Sequence, residues 1–382
     1  MRKTFLLHWV FLITIFIGCT KNQEPGVIQQ PQGSLIDSAE TIYVSGGRTK
    51  DLFAINAKTG AIKWKVTLGG DAFVSPIYTS GKIIVGASDN KIYAFDTLGN
   101  LSWAVLLNNS IKSDPIANNG TIYISDINSI YAFNSSNGSL LWRFQEGGTD
   151  NLIFKDNVIY CNSNYFYLYA INATNGGKKW EYFSSLGTPP VVFSEKIYYM
   201  VNDWTMLNLN TSNGFLLSGG GGWSIYADAL SYNVKYGNIY VMREGVRSGI
   251  IVADSTNPSS IKFEIPIFTL LSSPPNRRPI LADSFLISKF GVANAFTGSH
   301  IANVFGPSGV SYLNGVVYCV TSELNYYDPN TGGYYYAIVY AIDVKTGGFL
   351  WQTNIKDANF YGVEPCVTTR SGVVYRGAFQ YK

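Results

Sequence analysis

The spacing of tryptophan is the feature of this sequence that most limits its fold. Trp64, Trp103, Trp142 and Trp180 follow one another at intervals of 39, 39 and 38 residues, and Trp351 stands in the same local sequence near the C-terminus. A fixed period of about 40 residues is typical of a chain built by repeating one supersecondary unit. We therefore expect a repeat architecture over most of the chain.

Each of these tryptophans closes one recurring phrase, called the Trp phrase below. In the first unit the phrase runs from Ala54 through Asn56 and Gly60 to Trp64. An Asn or Asp side chain caps a turn, and glycine takes the left-handed conformation that a hairpin with a bulge requires. Tryptophan then lies on the next strand, where it can pack against the neighbouring unit and donate its indole N–H to a turn. The phrase predicts two strands joined by a tight turn.

Two further short strands recur upstream of each Trp phrase. One is an apolar triplet such as Ile122–Ile124, and the other is often led by proline, as at Pro76 and Pro115. The 38 glycines and the 15% aromatic content of the chain agree with an all-β protein rich in tight turns. Four strands in about 40 residues is the size of one propeller blade.

The Trp phrase and its strand framework resemble the PQQ-like repeats of eight-bladed quinoprotein propellers. The same repeats build the propeller lipoprotein of the outer-membrane barrel-assembly machinery. The resemblance covers residues 35–382 and implies an all-β, eight-bladed β-propeller of four-stranded antiparallel blades, with seven blades as the alternative. In the degenerate units Ser218 and Ala302 replace the tryptophan, and we expect Trp204, Trp223 and Phe296 to rebuild the packing between blades there.

Closure of the ring is the open point of this interpretation. Residues 365–368 and 372–378 look like the start of a ninth unit, which favours closure by pairing of C-terminal with N-terminal strands in one blade. The count leaves one strand too many. Either the strand at Ile42 or the tail at Val373 must lie outside the standard four.

The N-terminus has the pattern of an export signal. Arg2 and Lys3 precede a 13-residue apolar run, which is too short for a standard membrane-spanning helix, and the run ends at Gly18 and Cys19. This ending resembles a bacterial lipobox, so residues 1–19 are interpreted as a lipoprotein signal with the lipid on Cys19. An ordinary signal peptide that is cut nearby is the alternative. Residues 20–34 form a tether, and the absence of Asp after Cys19 favours the outer membrane, on its periplasmic or surface face.

Composition and motifs exclude several classes of function. A net charge of +3, evenly spread, does not favour nucleic acid as a partner. The four cysteines form no CxxC pair, and Cys161 and Cys319 are interpreted as buried core residues. Quinone-dependent relatives carry adjacent cysteines, which this chain lacks, and His300 is the one histidine after the signal segment. We predict no cofactor, no metal and no catalytic residue.

Departures from the repeat are the candidate partner surfaces. One is a tyrosine-rich insertion in the eighth unit, and the other is a proline- and arginine-containing loop between units six and seven; the candidate residues are Tyr326, Tyr327, Tyr334, Tyr335, Arg277 and Arg278. An ordinary exposed hairpin and a solvated loop are the alternatives. The hypothesis is a monomeric, non-catalytic envelope scaffold that binds another protein, one version being outer-membrane protein assembly. A carbohydrate-binding propeller and a polysaccharide-acting enzyme are the alternatives.

Overall fold

The structure is a computed structural model. It describes residues 40–148, 151–163, 166–183, 189–201, 206–219, 229–235, 238–243, 249–255, 261–266, 280–288, 291–302, 307–321, 324–326, 334–356, 358, 360, 363, 365–368, 374–376 and 379–381. Several residues singled out in the sequence lie outside these ranges, namely Cys19, Trp204, Trp223, Arg277, Arg278 and Tyr327. The signal segment 1–19 and the tether 20–34 lie outside them as well.

The described residues form eight antiparallel sheets, which are the blades of one propeller ring. The first strands are β1 (Thr41–Ser45), β2 (Asp51–Asn56) and β3 (Ile62–Thr67). Blade 2 has β4 (Ile77–Thr79), β5 (Lys82–Gly86), β6 (Lys91–Asp96) and β7 (Leu101–Leu106). Blade 3 has β8 (Ile116–Asn118), β9 (Thr121–Ser125), β10 (Ile130–Asn134) and β11 (Leu140–Phe144). Blade 4 has β12 (Ile153–Lys155), β13 (Val158–Asn162), β14 (Tyr167–Asn172) and β15 (Lys178–Phe183).

The remaining blades follow the same order along the chain. Blade 5 has β16 (Val191–Phe193), β17 (Lys196–Met200), β18 (Met206–Asn210) and β19 (Leu216–Gly219). Blade 6 has β20 (Ala229–Lys235), β21 (Asn238–Arg243), β22 (Gly249–Asp254) and β23 (Ile261–Pro266). Blade 7 has β24 (Ile280–Ala282), β25 (Phe285–Ser288), β26 (Gly291–Asn294) and β27 (His300–Ala302). Blade 8 and the tail have β28 (Pro307–Leu313), β29 (Val316–Thr321), β30 (Leu324–Tyr326), β31 (Tyr334–Asp343), β32 (Phe349–Lys356), β33 (Cys366–Thr368), β34 (Val374–Arg376) and β35 (Phe379–Tyr381).

The position of a strand within its blade determines how many of its side chains are buried, and this explains the pattern of apolar residues in each strand. The two middle strands, such as β5 and β6, are nearly continuous apolar runs because blades pack against both of their faces. The outermost strand alternates, and in β7 every second residue is exposed. The described residues contain no helix, and so none with the length and apolar character that crossing a bilayer would require.

The ring closes through the C-terminal strand β33. β1 pairs with β2 on one side and with β33 on the other, where Tyr43 lies opposite Cys366 and Thr41 opposite Thr368. The strand at Ile42 therefore belongs to blade 1, and the eight-bladed prediction is confirmed over the seven-bladed alternative. The surplus strand is the tail, because β34 pairs with β33 and lies against β4 and β28, the innermost strands of the two flanking blades.

The two faces of the ring differ in their connections. The turn that follows the first strand of a blade and the turn that follows its third strand lie together, and they are joined by hydrogen bonds such as Ser135 N–H to Gly120 O. We call this side the turn face. The opposite side, the connection face, carries the links between second and third strands and the links from one blade to the next.

Candidate partner-binding surfaces

The tryptophans of the repeat join neighbouring blades. Each indole N–H donates to a carbonyl in the turn of the next blade, at the residue that follows the Asn or Asp of its phrase: Trp64 to Thr97 (2.9 Å), Trp103 to Ser135 (3.1 Å), Trp142 to Ala173 (2.9 Å), Trp180 to Thr211 (3.0 Å) and Trp351 to Ala57 (2.8 Å). The last of these bonds joins blade 8 to blade 1. These tryptophans therefore hold the ring together and are not free to form a binding site.

The turn of the Trp phrase leaves room for the indole ring of the tryptophan from the neighbouring blade. In the first unit the Asn56 side chain accepts hydrogen bonds from the backbone N–H groups of Lys58 and Thr59. Gly60 has a φ of +72°, and a Cβ added there would stand 2.5 Å from the ring of Trp351. Glycine is needed at this position both for the left-handed backbone and for the close approach of the indole.

Blades 5, 6 and 7 replace the tryptophan by other residues. The strand registers place Ser218, Phe263 and Ala302 at the tryptophan position. Phe263 could not be recognised from the sequence, because no Gly-Trp pair marks the sixth unit. Phe263 packs against the apolar cluster between blades 6 and 7. Phe296 lies in the turn of blade 7 and is half exposed.

A tyrosine takes over the hydrogen bond in blade 6. The hydroxyl of Tyr240 donates to Ala295 O at 3.0 Å, and Ala295 follows Asn294 in the turn of blade 7. This is the carbonyl position that receives an indole elsewhere. In blade 4 the equivalent Tyr160 donates to Thr211 O (3.2 Å) beside the indole of Trp180, so the tyrosine bond also occurs next to a tryptophan. A blade that loses its tryptophan can therefore keep the link to its neighbour.

One candidate partner region lies at the connection face, and the strands that flank the other region meet its segment there. The tyrosine-rich insertion forms a hairpin there, in which Tyr326 pairs with Tyr334 and Asn325 with Tyr335. Arg277 and Arg278 fall outside the described residues, but the strands that flank their segment do not. β23 ends and β24 begins at the connection face, next to the blade that bears the hairpin.

Carboxylates at the connection face hold the loops between strands. Asp126 is fully buried and accepts hydrogen bonds from the Tyr131 hydroxyl (2.7 Å), from the Asn109 amide and from the backbone N–H of Asn128 and Ser129. Burial, and then the hydrogen bond to Asp126, raise the pKa of Tyr131 to about 12. A carboxylate saturated with donors from its own loop has a structural role, and spacing in the sequence alone did not reveal this pairing.

The histidine and the three cysteines of the described residues lie in four different blades. His300 begins the outermost strand β27, where it is exposed. Within the described ranges no three His, Cys, Asp or Glu side chains stand close enough to share a metal ion. Cys161, Cys319 and Cys366 are buried and not paired in disulfides, and burial raises the pKa of the Cys161 and Cys319 thiols.

Comparison with known proteins identifies the repeat. The profile of the family described as outer membrane protein assembly factor BamB matches residues 28–113 and 98–192. A curated relative, BamB of Moranella endobia (strain PCIT), is 26% identical over 154 residues, which are 38% of this chain and 39% of that protein. The match thus spans about two-fifths of the length of the relative. The chain is a propeller of PQQ-like repeats that resembles BamB.

Solved structures show the same fold. BamB from Moraxella catarrhalis aligns over 75% of this propeller and 80% of its own chain, with a TM-score of 0.53 and 17% identity. The alignment with the computationally designed protein Ika8 covers 82% of this chain and 98% of Ika8, with a TM-score of 0.60 and 12% identity. The alignment with Sqt1 of Saccharomyces cerevisiae covers 85% of this chain and 95% of Sqt1, with a TM-score of 0.58 and 13% identity. At these identities the likeness concerns the fold alone. The profile matches end at residue 192, just where the propeller begins to lose its tryptophans.

Proposed function

We propose that this propeller is a lipid-anchored, non-catalytic envelope scaffold that binds another envelope protein during outer-membrane protein assembly. The observation that carries the proposal is the match of residues 28–192 to the assembly-factor family. The geometry supports it, because the residues that define the repeat pack blade against blade, and the tyrosine-rich insertion that departs from the repeat pairs its strands at the connection face. A scaffold needs such a rigid ring with a distinct surface on it.

The partner surface of this proposal is the connection face of blades 6 to 8. The link between β29 and β31 contains the extra strand β30, whereas other blades join the equivalent strands by short turns. Thirteen residues, 267–279, separate β23 from β24 and include the two arginines. Tyrosine and arginine are the residue types that most often anchor protein interfaces, because they combine contact area with hydrogen-bonding groups.

Site-specific photocrosslinking in living cells tests the partner surface. A photoreactive residue at Tyr326 or Tyr334 should capture an envelope protein. Lys345 is the matched control, because it lies in the same blade but at the opposite, turn face, and it is exposed. Capture at Lys345 alone, or at none of the three positions, would contradict the proposal.

The lipid anchor needs its own test. Mass spectrometry of the N-terminal peptide should find diacylglycerol on Cys19, and Cys19→Ser should move the chain from the membrane fraction to the soluble fraction. The described cysteines are buried and do not compete for the modification. Recovery of an unmodified Cys19 within the peptide would rule out the anchor and leave the partner surface untouched.

A carbohydrate ligand is the second candidate, and the hairpin register favours it. The backbone of Tyr326 pairs with that of Tyr334, so two tyrosines occupy neighbouring strand positions, and tyrosine is a residue type that can stack on a sugar ring. Under this reading Tyr326→Ser with Tyr334→Ser abolishes binding in a glycan array, and photocrosslinking captures no protein. An array without any ligand for the unaltered chain would remove this candidate.

A further inference from the structure

The large exposed apolar side chains of this propeller gather along one edge. Of the fourteen that are well exposed among the described residues, ten lie within or directly after the turn of a Trp phrase or its equivalent: Ile62, Leu98, Leu101, Leu140, Leu141, Phe215, Leu216, Leu217, Ile261 and Phe296. These positions lie in the turn before the outermost strand or in its first two residues on blades 1, 2, 3, 5, 6 and 7, so they line the outer circumference of the turn face there. We call them the apolar rim.

The apolar rim is densest on blades 2, 3 and 5. Leu98 and Phe215 project from turns and are 76% and 72% exposed, and Leu140 and Leu141 are adjacent at the start of β11. These side chains are half or more exposed, so they contribute little to the packing between blades. Exposed apolar residues in such number on one edge mark a contact surface.

The position at which the chain enters the propeller indicates what the apolar rim contacts. Glu40 begins the described chain, and its carbonyl accepts a hydrogen bond from Ala57 N–H (3.2 Å), in the first turn of the turn face. Twenty residues separate Cys19 from Glu40. Such a segment spans at most about 70 Å when fully extended, so a bilayer that holds a lipid on Cys19 lies within reach of the turn face, where the chain enters the ring.

The geometry points to a lipid bilayer as the occupant of the apolar rim: the turn-face edge of blades 2 to 5 rests in the interface of the membrane to which the chain is tethered. This inference rests on the proposed lipid anchor for its orientation. The rim side chains stand on a convex circumference, where a rigid protein would touch only a few of them. A lipid interface adapts to all of them and buries their apolar area.

Charge on the same blades has a small part in this contact. Lys178 forms ion pairs with Glu146 (3.0 Å) and Glu181 (2.8 Å), and Lys155 lies 3.9 Å from Asp156. With these lysines paired, attraction to anionic lipid is weak. The contact is therefore expected to form on electrically neutral lipid and to persist in high salt.

Strand β7 provides a matched pair of positions. Leu101 begins the strand on the apolar rim and Leu106 ends it at the connection face, and the two side chains are 57% and 66% exposed. The lipidated full chain, carrying a spin label at Leu101→Cys, Leu140→Cys or Leu106→Cys, is reconstituted in phosphatidylcholine vesicles. Collision rates with oxygen and with a water-soluble nickel complex should show a lipid environment at 101 and 140 and water at 106. Water at all three positions overturns the inference.

A second measurement separates the rim from the anchor. In the Cys19→Ser chain, which carries no lipid, Leu101→Ser with Leu140→Ser and Leu141→Ser should weaken partition to neutral vesicles at least tenfold, whereas Leu106→Ser should change it less than twofold. Equal effects of the two changes overturn the inference. A second result would also overturn the inference: a label at position 101 that remains in water on vesicles and becomes immobile when envelope proteins are added. The occupant of the apolar rim would then be a protein. The partition measurement contains no other protein, so its result does not bear on the proposed partner.

Discussion

Trp351 differs from the other four phrase tryptophans in what its hydrogen bond connects. Its partner Ala57 is 294 residues away in sequence, whereas the other indoles bind carbonyls 31 to 33 residues away. It is also 1% exposed, while Trp64 is only partly buried. The same interaction thus has a local role in most blades and a closing role in blade 8.

Replacement of Trp351 by phenylalanine should destabilise the protein more than replacement of Trp64. Trp351→Phe leaves Ala57 O without its donor and opens a gap in a closed core, which we expect to lower the free energy of unfolding by about 2–4 kcal/mol. Trp64→Phe removes a more exposed bond, and about 1 kcal/mol is expected. Chemical denaturation of both variants measures the difference. Equal losses would contradict a closing role for Trp351.

Loss of the hydroxyl should change the stability of the protein in opposite directions at Tyr240 and Tyr318, which occupy equivalent positions in blades 6 and 8. Tyr240 donates to Ala295 O, so Tyr240→Phe should lower the free energy of unfolding by about 1–2 kcal/mol. Tyr318 is fully buried, and within the described part of the chain its hydroxyl has no hydrogen-bond partner. Tyr318→Phe should therefore raise stability by about 1 kcal/mol. Thermal unfolding of the two variants checks the signs, and a loss in both would refute this account.

At the scale of the strands, the sequence was informative wherever one residue type recurred. At fixed spacing, Asn predicted the turn, Gly predicted the left-handed backbone, and Trp predicted the strand that follows. These predictions were possible because each feature depends on residues close in sequence. Phe263 and Tyr240 could not be recognised in this way, since their role depends on the register of β23 and on the turn of another blade. The hairpin of Tyr326 and Tyr334 was expected as an insertion, but its pairing is set by the register of β31.

Closure depended on contacts between the ends of the chain, which spacing does not reveal. β33 completes blade 1, whereas β34 and β35 continue the sheet beyond it. Deletion of residues 370–382 should therefore keep one cooperative unfolding transition, because β33 still pairs with β1. Deletion of residues 364–382 leaves the inner edge of β1 unpaired and should broaden the transition and promote self-association. Denaturation curves and light scattering of the two truncations make the comparison, and identical behaviour would mean that β33 does not close the ring.

At the scale of the whole molecule, the two faces of the propeller carry different surface features. The turn face has regular turns, the apolar rim and the entry of the chain at Glu40. The connection face has the tyrosine hairpin and the ends of the strands β23 and β24 that flank the two arginines. The strands that separate the faces are five or six residues long in most blades, about 15–20 Å. A bilayer on one face therefore leaves the other free for a partner.

This separation predicts that substitutions on the two faces act independently. Tyr326→Ser with Tyr334→Ser should reduce capture of the envelope partner and leave vesicle partition unchanged. Leu101→Ser with Leu140→Ser should do the reverse, and the four changes together should give the sum of the two effects, because rigid blades lie between the sites and no side chain is shared. Partner capture and vesicle partition are measured on the same three preparations. A combined effect that departs from the sum would show that the faces communicate, through a change in blade packing that the tyrosine and tryptophan bonds between blades are expected to resist.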